Sequence, residues 1–345
     1  MQRIDIKGNL KNSAILVGET LENLKLYLPQ DKQVICISDD KVWPLYGQNL
    51  NAPHILIGRG EAYKTLDTLT FIYERLLELG ADRSSFILAL GGGIVCDVAG
   101  FAASTYMRGL DYGFVPTTLL AQTDASVGGK NGVNVQGYKN IAGIFNQPDF
   151  VLCAPEVLKT LPPHEIAEGM AEIVKHALIA DLAMFKYIEA HTDMILKLEP
   201  QAINYLVRRS VEIKAAVVNA DEREKGERRK LNFGHTLGHA LEKSAGCSHG
   251  EGVALGMLCA VALSIARGLI APEFYPRLQR LLKTLGLPYE MPPVTREQFG
   301  VMTSDKKREG LDLHYVLLEK IGKARVCKFN LDEFKAMYEN GDFGI

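Results

Sequence analysis

Phe86-Ile87-Leu88-Ala89-Leu90-Gly91-Gly92-Gly93-Ile94-Val95-Cys96-Asp97-Val98-Ala99-Gly100 is the stretch on which the reading of this chain turns. Five consecutive apolar residues, 86–90, predict a strand covered on both faces rather than one that wets a side. Three glycines follow, and a helical stretch follows them. Glycine lets the backbone turn tightly and approach a ligand, while the free N–H groups and dipole at a helix start favour a phosphate. A pyrophosphate site is one reading of the run, and plain turn chemistry is the other, because the GxGxxG spacing is missing.

Working outward, short β-rich runs lie at 14–17, 34–37, 55–57, 113–115 and 150–153, with helical patterns between them such as 66–79. Strands that alternate with helices predict a Rossmann-like α/β domain with a mostly parallel sheet, which binds nucleotides beyond the C-terminal ends of its strands. From about residue 155 the period changes to 3.6, in stretches 165–179, 184–198, 202–219, 235–243 and 252–268, and only 315–318 and 323–329 look like a late hairpin. Residues 1–154 are therefore expected to form an α/β domain and 155–345 a mainly α-helical one. No Gly/Ser linker separates them, so close packing with the active site in a cleft between the two is the expectation.

Composition narrows the function. Of 345 residues, 39 are Lys or Arg and 41 are Asp or Glu, and a net charge of −2 leaves neither a nucleic-acid footprint nor an acidic tail. With 47% hydrophobic and 23% charged residues the chain is globular, not disordered or fibrous. The most apolar run, 253–266, is too short to span a membrane and reads as a buried core helix. The first residues, Met1 to Lys11, lack an apolar export segment, so a cytoplasmic location is expected. Cysteines at 36, 96, 153, 247, 259 and 327 form no CxxC pair, which predicts free thiols.

Four further segments carry chemistry. Residues 115–134, with Thr117, Thr118, Asp124 and Lys130, followed by Lys139-Asn140, are small, hydroxylated and glycine-rich, a texture suited to wrapping a ligand. Glu165, Glu168, Glu172, Lys175 and His176 fall on a helix, with Glu168, Glu172 and Lys175 on one face. Ion pairing in solvent is the plain reading there, and Gly169-Met170-Ala171 argues for a packed wall instead. The richest segment runs from Arg228 through Asn232, His235 and His239 to Glu242, then His249-Gly250-Glu251. Three histidines within fifteen residues suggest a divalent-metal site, helix caps or core histidines being the alternative, and spacing alone pairs His235 with His239. It is not HExxH, so a zincin protease is excluded. Last, Thr303-Ser304-Asp305-Lys306-Lys307 reads on its own as a charged turn.

Taken in order from about residue 35 to 310, these segments resemble the 3-dehydroquinate synthases of the sugar-phosphate cyclase family. The residues that carry the likeness include Gly91-Gly92-Gly93 with Asp97, Arg108-Gly109, Pro116 to Gln122, Asp124 to Lys130, Lys139-Asn140, Leu158 to Pro162, Gly169 to Glu172 with Lys175, Leu231 to Thr236 with Gly238-His239, His249-Gly250-Glu251 and Asp305-Lys306-Lys307. The resemblance implies NAD held by Gly92, Gly93, Ile94, Val95, Cys96 and Asp97, by Thr117, Thr118, Asp124, Lys130, Lys139 and Asn140, by Val157, Leu158, Lys159 and Thr160, and by Asp39, Glu61 and Lys64 on the adenosine side. It implies zinc, or cobalt, on Glu172, His235 and His249, which moves His239 from the metal to the substrate. Substrate contacts would fall on Asp124, Lys130, Lys175, Lys214, Glu224, Arg228, Asn232, His239 and Lys306, with Arg108 supplied by the neighbouring subunit of a homodimer. Cys96, Arg59 and Lys41 depart from the common pattern at the cofactor's rim.

The implied reaction converts 3-deoxy-D-arabino-heptulosonate 7-phosphate into 3-dehydroquinate and phosphate, a step of the shikimate pathway toward chorismate and the aromatic amino acids. The partner is thus a small anionic sugar-acid phosphate. Rival readings are a sister cyclase acting on another sugar phosphate and a metal-dependent polyol or glycerol-phosphate dehydrogenase.

Overall fold

The computed structural model describes residues 1–304, 308–309 and 312–341. Two compact units emerge, Met1–Leu161 with Ile203–Glu222, and Pro162–Ala202 with Arg223–Ile345. The chain thus returns to the first unit once, a crossing that a single division at residue 154 does not contain.

In the first unit a seven-stranded sheet has the order β1-β2-β9-β6-β5-β3-β4. Its strands are β1 Gln2–Ile6, β2 Ser13–Val17, β3 Val34–Asp39, β4 His54–Ile57, β5 Phe86–Gly91, β6 Asp111–Pro116 and β9 Phe150–Cys153. All neighbours pair in parallel except β1, which runs antiparallel to β2 along the edge. Every residue of β5 is buried, as its unbroken apolar run requires of a strand between two others. Helices α1 (Leu66–Glu78) and α2 (Gly93–Thr105) follow β4 and β5. A separate hairpin, β7 (Lys130–Val135) and β8 (Tyr138–Phe145), was not visible as strands because its glycines and polar residues mimic a loop.

Helix α6 (Pro200–Ala220) gives most of its length to this unit. It buries Leu206, Val211 and Val218, and its end is tied by polar contacts: Asn219 Oδ1 accepts from the Lys7 amide at 2.8 Å, and Glu222, just beyond the helix, accepts from the Asn9 amide at 3.0 Å. Lys214, midway along the helix, reaches Asp124.

The second unit is mainly helical. It contains α3 (Pro163–Ala180), α4 (Leu182–Ala190), α5 (Thr192–Leu196), α7 (His235–Ala245), α8 (His249–Ala266), α9 (Phe274–Thr284), α10 (Arg296–Ser304) and α11 (Leu331–Glu339), with a three-stranded sheet β10 (Arg308–Glu309), β11 (Asp312–Lys320) and β12 (Lys323–Asn330). The expected single helix over 184–198 is broken at His191, where the His191 ring and the Thr192 hydroxyl bond to the carbonyls of Tyr187 and Ile188, competing with helical continuation. Helix α8 is apolar enough to resemble a membrane span, yet 78% of it is buried inside the fold, as expected of a core helix. It starts three residues before the predicted point, because Ser248 and Glu251 close a capping box around His249.

Candidate active site

Helix α2 of the first unit begins at the C-terminal end of β5. None of Gly91, Gly92 and Gly93 has a positive φ, so these glycines serve space and not backbone handedness. A Cβ on Gly91 would lie 2.6 Å from Val95, one on Gly92 3.2 Å from Thr118 and one on Gly93 3.0 Å from Ala125. Strand end, helix start and the 117–125 segment thus pack closely, with side chains of Val95, Thr118 and Ala125 against the glycine backbone, and the helix start presents the main-chain N–H groups that favour an anion. Thr117, buried, ties its amide to Gly91 O at 2.9 Å, and Thr118 Oγ1 accepts from the Ala121 amide at 3.1 Å. One wide turn of π-helix, Ala121–Ala125, then carries Asp124, the kind of irregular turn often found at functional sites. Lys214 Nζ donates to both Asp124 Oδ1 and Asp124 O at 2.7 Å.

Beside the helix start, buried Lys64 and half-buried Asp97 form an ion pair. Burial pushes the Asp97 carboxyl above its ordinary value, against the pull of Lys64. Asn134, which the sequence reading did not assign to the site, gathers this edge together. Its Nδ2 donates to Glu61 Oε1 at 2.8 Å, its amide to Lys64 O at 2.8 Å, and its Oδ1 accepts from the Asn140 amide at 2.9 Å. Four of the expected cofactor residues, Glu61, Lys64, Asp97 and Asn140, therefore meet through it. Its only sequence signal was its place at the end of the glycine-rich segment.

The remaining first-unit candidates sit differently. Asp39 Oδ1 caps the turn that follows β3, accepting from the amides of Lys41 and Val42, so Lys41 enters through its main chain. Val157 and Leu158 are fully buried, and Val157 O together with Thr160 Oγ1 contacts Tyr46 Oη. Lys130, Lys139 and Lys159 are exposed. Arg108 is exposed too, in a left-handed pair with Met107 at φ 73° and 48°, a strained conformation for L residues.

In the second unit, α3, α7 and α8 bring one carboxylate and two imidazoles together. Glu172 has no solvent exposure, and its Oε1 lies 3.4 Å from His235 Nε2 and 3.1 Å from His249 Nε2. All three donor atoms fall within 4.8 Å of one another. Glycines make this approach possible. A Cβ on Gly256 would lie 1.8 Å from Gly234 O, and those on Gly238 and Gly252 2.9 Å from each other's carbonyl oxygens, so α7 and α8 abut backbone to backbone.

The ring orientations are fixed from behind. His235 Nδ1 donates to Phe233 O at 3.1 Å, and His249 Nδ1 lies 3.0 Å from Glu242 Oε1. In each ring the outer nitrogen is engaged and Nε2 faces Glu172, the arrangement that readies an imidazole for a metal. Desolvation and the charge of Lys175 hold His235 well below its ordinary pKa. Burial pulls His249 the same way, but hydrogen bonds to Glu172 and Glu242 outweigh it and push its pKa up to about 10. A carboxylate with two imidazoles at this spacing suits zinc or cobalt with open positions left for a substrate. Among the described residues His239 is not in this trio; its ring stands edge-on to His235, 5.4 Å between centroids.

Around the trio, Lys175 is buried and pairs with Glu172. Arg228 is buried as well, and Asn232 Nδ2 donates to Glu224, whose own backbone is left-handed at φ 58°. Lys306 lies outside the described residues.

Comparison with known proteins places the chain in a family. Family models for the N-terminal and C-terminal parts of 3-dehydroquinate synthase match residues 54–168 and 169–308. The 3-dehydroquinate synthase of Halorhodospira halophila is 45% identical over 303 residues, covering 85% of this chain and 86% of its own. That of Prochlorococcus marinus strain AS9601 is 39% identical over 325 residues, 90% of each chain. Among solved structures, 2-deoxy-scyllo-inosose synthase complexed with carbaglucose-6-phosphate, NAD+ and Co2+ superposes with a TM-score of 0.86 at 29% identity, covering 98% of this chain and 100% of that one. The 2-epi-5-epi-valiolone synthase of Streptomyces hygroscopicus subsp. jinggangensis 5008, with NAD+ and Zn2+ bound, gives 0.86 at 26% identity over 99% of both. By relatedness across most of its length, this chain belongs to the 3-dehydroquinate synthase family.

Proposed function

We propose that this protein is an NAD- and zinc-dependent lyase, a 3-dehydroquinate synthase, that converts 3-deoxy-D-arabino-heptulosonate 7-phosphate into 3-dehydroquinate and phosphate. The observation that carries the choice of substrate is relatedness: 39–45% identity to 3-dehydroquinate synthases against 26–29% to the sister cyclases. When bound, NAD+ supplies a hydride acceptor that is restored within the turnover, and the divalent cation, zinc or cobalt, supplies a Lewis acid at the substrate's hydroxyls.

The chain's own residues set the rest. Glu172, His235 and His249 would hold the cation, and the glycine turn with Asp97, Lys64, Glu61, Asn134 and Asn140 would hold the dinucleotide. Lys130, Lys175, Lys214, Arg228 and Lys306 would meet the substrate's carboxylate and phosphate. Cations are needed there because a doubly anionic ligand must be compensated wherever water is excluded. Arg228 and Lys175, already desolvated, suit that task, and Arg228 and Asn232 favour a substrate that bears a carboxylate. His239, beside His235 yet outside the ligand trio, would relay a proton to or from the substrate. Asp124 would fix Lys214, and Glu224 would fix Asn232. We extend the proposal to a cytoplasmic homodimer in which Arg108, held outward by its left-handed turn, serves the neighbouring subunit; sedimentation of the purified protein tests the dimer.

The activity test is direct. Incubated with the heptulosonate phosphate, NAD+ and zinc, the protein should release phosphate without net NADH. Steady NADH accumulation would instead mark a dehydrogenase, and release only from another sugar phosphate would mark a sister cyclase. His249→Ala should lose the metal, whereas His239→Ala should keep the metal and lose turnover, and the reverse pattern refutes the ligand assignment.

A further inference from the structure

We infer that Glu242 and Glu168 are positioning residues for His249, Glu242 fixing its ring and Glu168 its backbone. The inference rests on the proposal that His249 ligates a metal.

His249 is the first residue of α8. Its side chain is 31% exposed, so packing alone does not fix its ring, and specific partners set its orientation and tautomer. Glu242 provides one. It lies on α7 at i+7 from His235 and i+3 from His239, on the same helical stripe, and its carboxylate is only 3% exposed. With Oε1 3.0 Å from Nδ1, it keeps the ring proton on that nitrogen and leaves Nε2 facing Glu172 at 3.1 Å. The two imidazoles are therefore held by unlike acceptors, a main-chain carbonyl behind His235 and a carboxylate behind His249. A charged acceptor binds the N–H more strongly and raises the basicity of the opposite nitrogen.

Glu168 holds the residues on both sides of the same histidine. It accepts from the Ser248 hydroxyl and, through Oε2 at 2.6 Å, from the Gly250 amide. Glycine at 250 is required for this, since a Cβ would lie 2.7 Å from Glu168 Cα. Glu168 stands one turn before Glu172 on α3. One helix thus carries a proposed ligand and, four residues earlier, the clamp that sets where the next ligand begins. The plain reading of Glu168 as a solvated ion-pair partner gives way to this role.

The test is zinc binding by the purified full-length protein against a chromophoric chelator, together with the visible absorption of the Co2+-substituted form. Glu242→Ala should weaken zinc binding by about 10- to 100-fold and shift the cobalt spectrum. Glu242→Gln, which retains an oxygen acceptor, should fall between it and the native protein, with its metal-free urea midpoint close to native. Glu168→Ala should weaken zinc binding by less than Glu242→Ala. Native affinity and native cobalt spectra in both Glu242 variants would overturn the inference, and so would equal loss in both. His249→Ala separates the two levels: if it keeps native zinc affinity, the ligand assignment fails; if it loses zinc while Glu242→Ala does not, only the positioning role fails.

Discussion

Replacing Gly256 by alanine tests whether backbone contact between α7 and α8 assembles the proposed metal-binding trio. Helix propensity predicts a gain, because alanine is favoured over glycine inside a helix by about 1 kcal/mol. Packing predicts the opposite. The new Cβ would sit 1.8 Å from Gly234 O and 2.7 Å from Gly234 C, roughly 1.5 Å short of an ordinary van der Waals contact. Neither atom can swing aside, since both belong to main chain and Gly234 is pinned in the left-handed region at φ 80°, immediately before His235. The Gly238–Gly252 contact farther along holds the same two helices together, so relief requires α7 to move away from α8. Overpacking of this kind costs about 3 kcal/mol, which outweighs the propensity gain and leaves a net loss of about 2 kcal/mol.

A thermal melt of the metal-free protein should fall by roughly 4–8 °C. The sharper readout is metal. A shift of His235 by even part of 1.5 Å exceeds the roughly 0.2 Å tolerance of metal–ligand distances, so zinc measured by equilibrium dialysis should weaken by at least tenfold. Gly300→Ala is the control, because nothing lies within 4 Å of its would-be Cβ, and it should be neutral or slightly stabilising. If Gly256→Ala melts with the native protein and binds zinc equally well, the claim that these glycines set the ligand geometry is wrong.

Two further outcomes follow from the electrostatics. In the metal-free protein the His249 pKa stands at about 10, above its ordinary 6.5, so the proton stabilises the fold fully below pH 6.5 and that contribution is lost as pH rises toward 10. Zinc needs the neutral imidazole, so calorimetry near pH 8 in buffers of different ionisation enthalpy should reveal close to one proton released per metal, and His235, already neutral, should add none; buffer-independent heats would contradict this. Lys64→Met leaves the half-buried Asp97 carboxylate without its cation, at a cost of about 3 kcal/mol; urea denaturation should show the drop and Asp97→Asn in the same chain should recover part of it, whereas a native midpoint for Lys64→Met alone would show that the pair adds nothing.

Much of the first unit was legible because its residues carry strong local signals. The apolar run of β5 can be satisfied only between two strands, and the glycines after it can only be a close-packed turn. The edge strand β1 was missed because its alternating polar residues include Arg3 and Asp5, side chains that an exposed edge tolerates. The hairpin β7–β8 was missed because Gly132 and Gly143 face each other across it, where a Cβ at 143 would lie 2.3 Å from Asn131 O. Glycine was present for close approach, and in sequence that is indistinguishable from a loop. The break at His191 was missed because periodicity does not register side chains that capture their own helix's carbonyls.

At the candidate site, the sequence by itself determined which chemistry was available: acidic, imidazole and ammonium groups on particular helices, with glycines among them. Helical spacing could pair His235 only with His239, its neighbour one turn away. The family resemblance named His249, fourteen residues on, and Glu172, sixty-three residues before His235, and the tertiary structure brings both beside His235 because α3, α7 and α8 converge there. Tertiary structure also sorted the glutamates: Glu172 faces the imidazoles, Glu168 caps α8 and Glu242 backs His249. A helical period fixes only which residues share a face; which faces meet depends on how close the backbones can come, and here the carbonyls of Gly234, Gly238 and Gly252 set that distance.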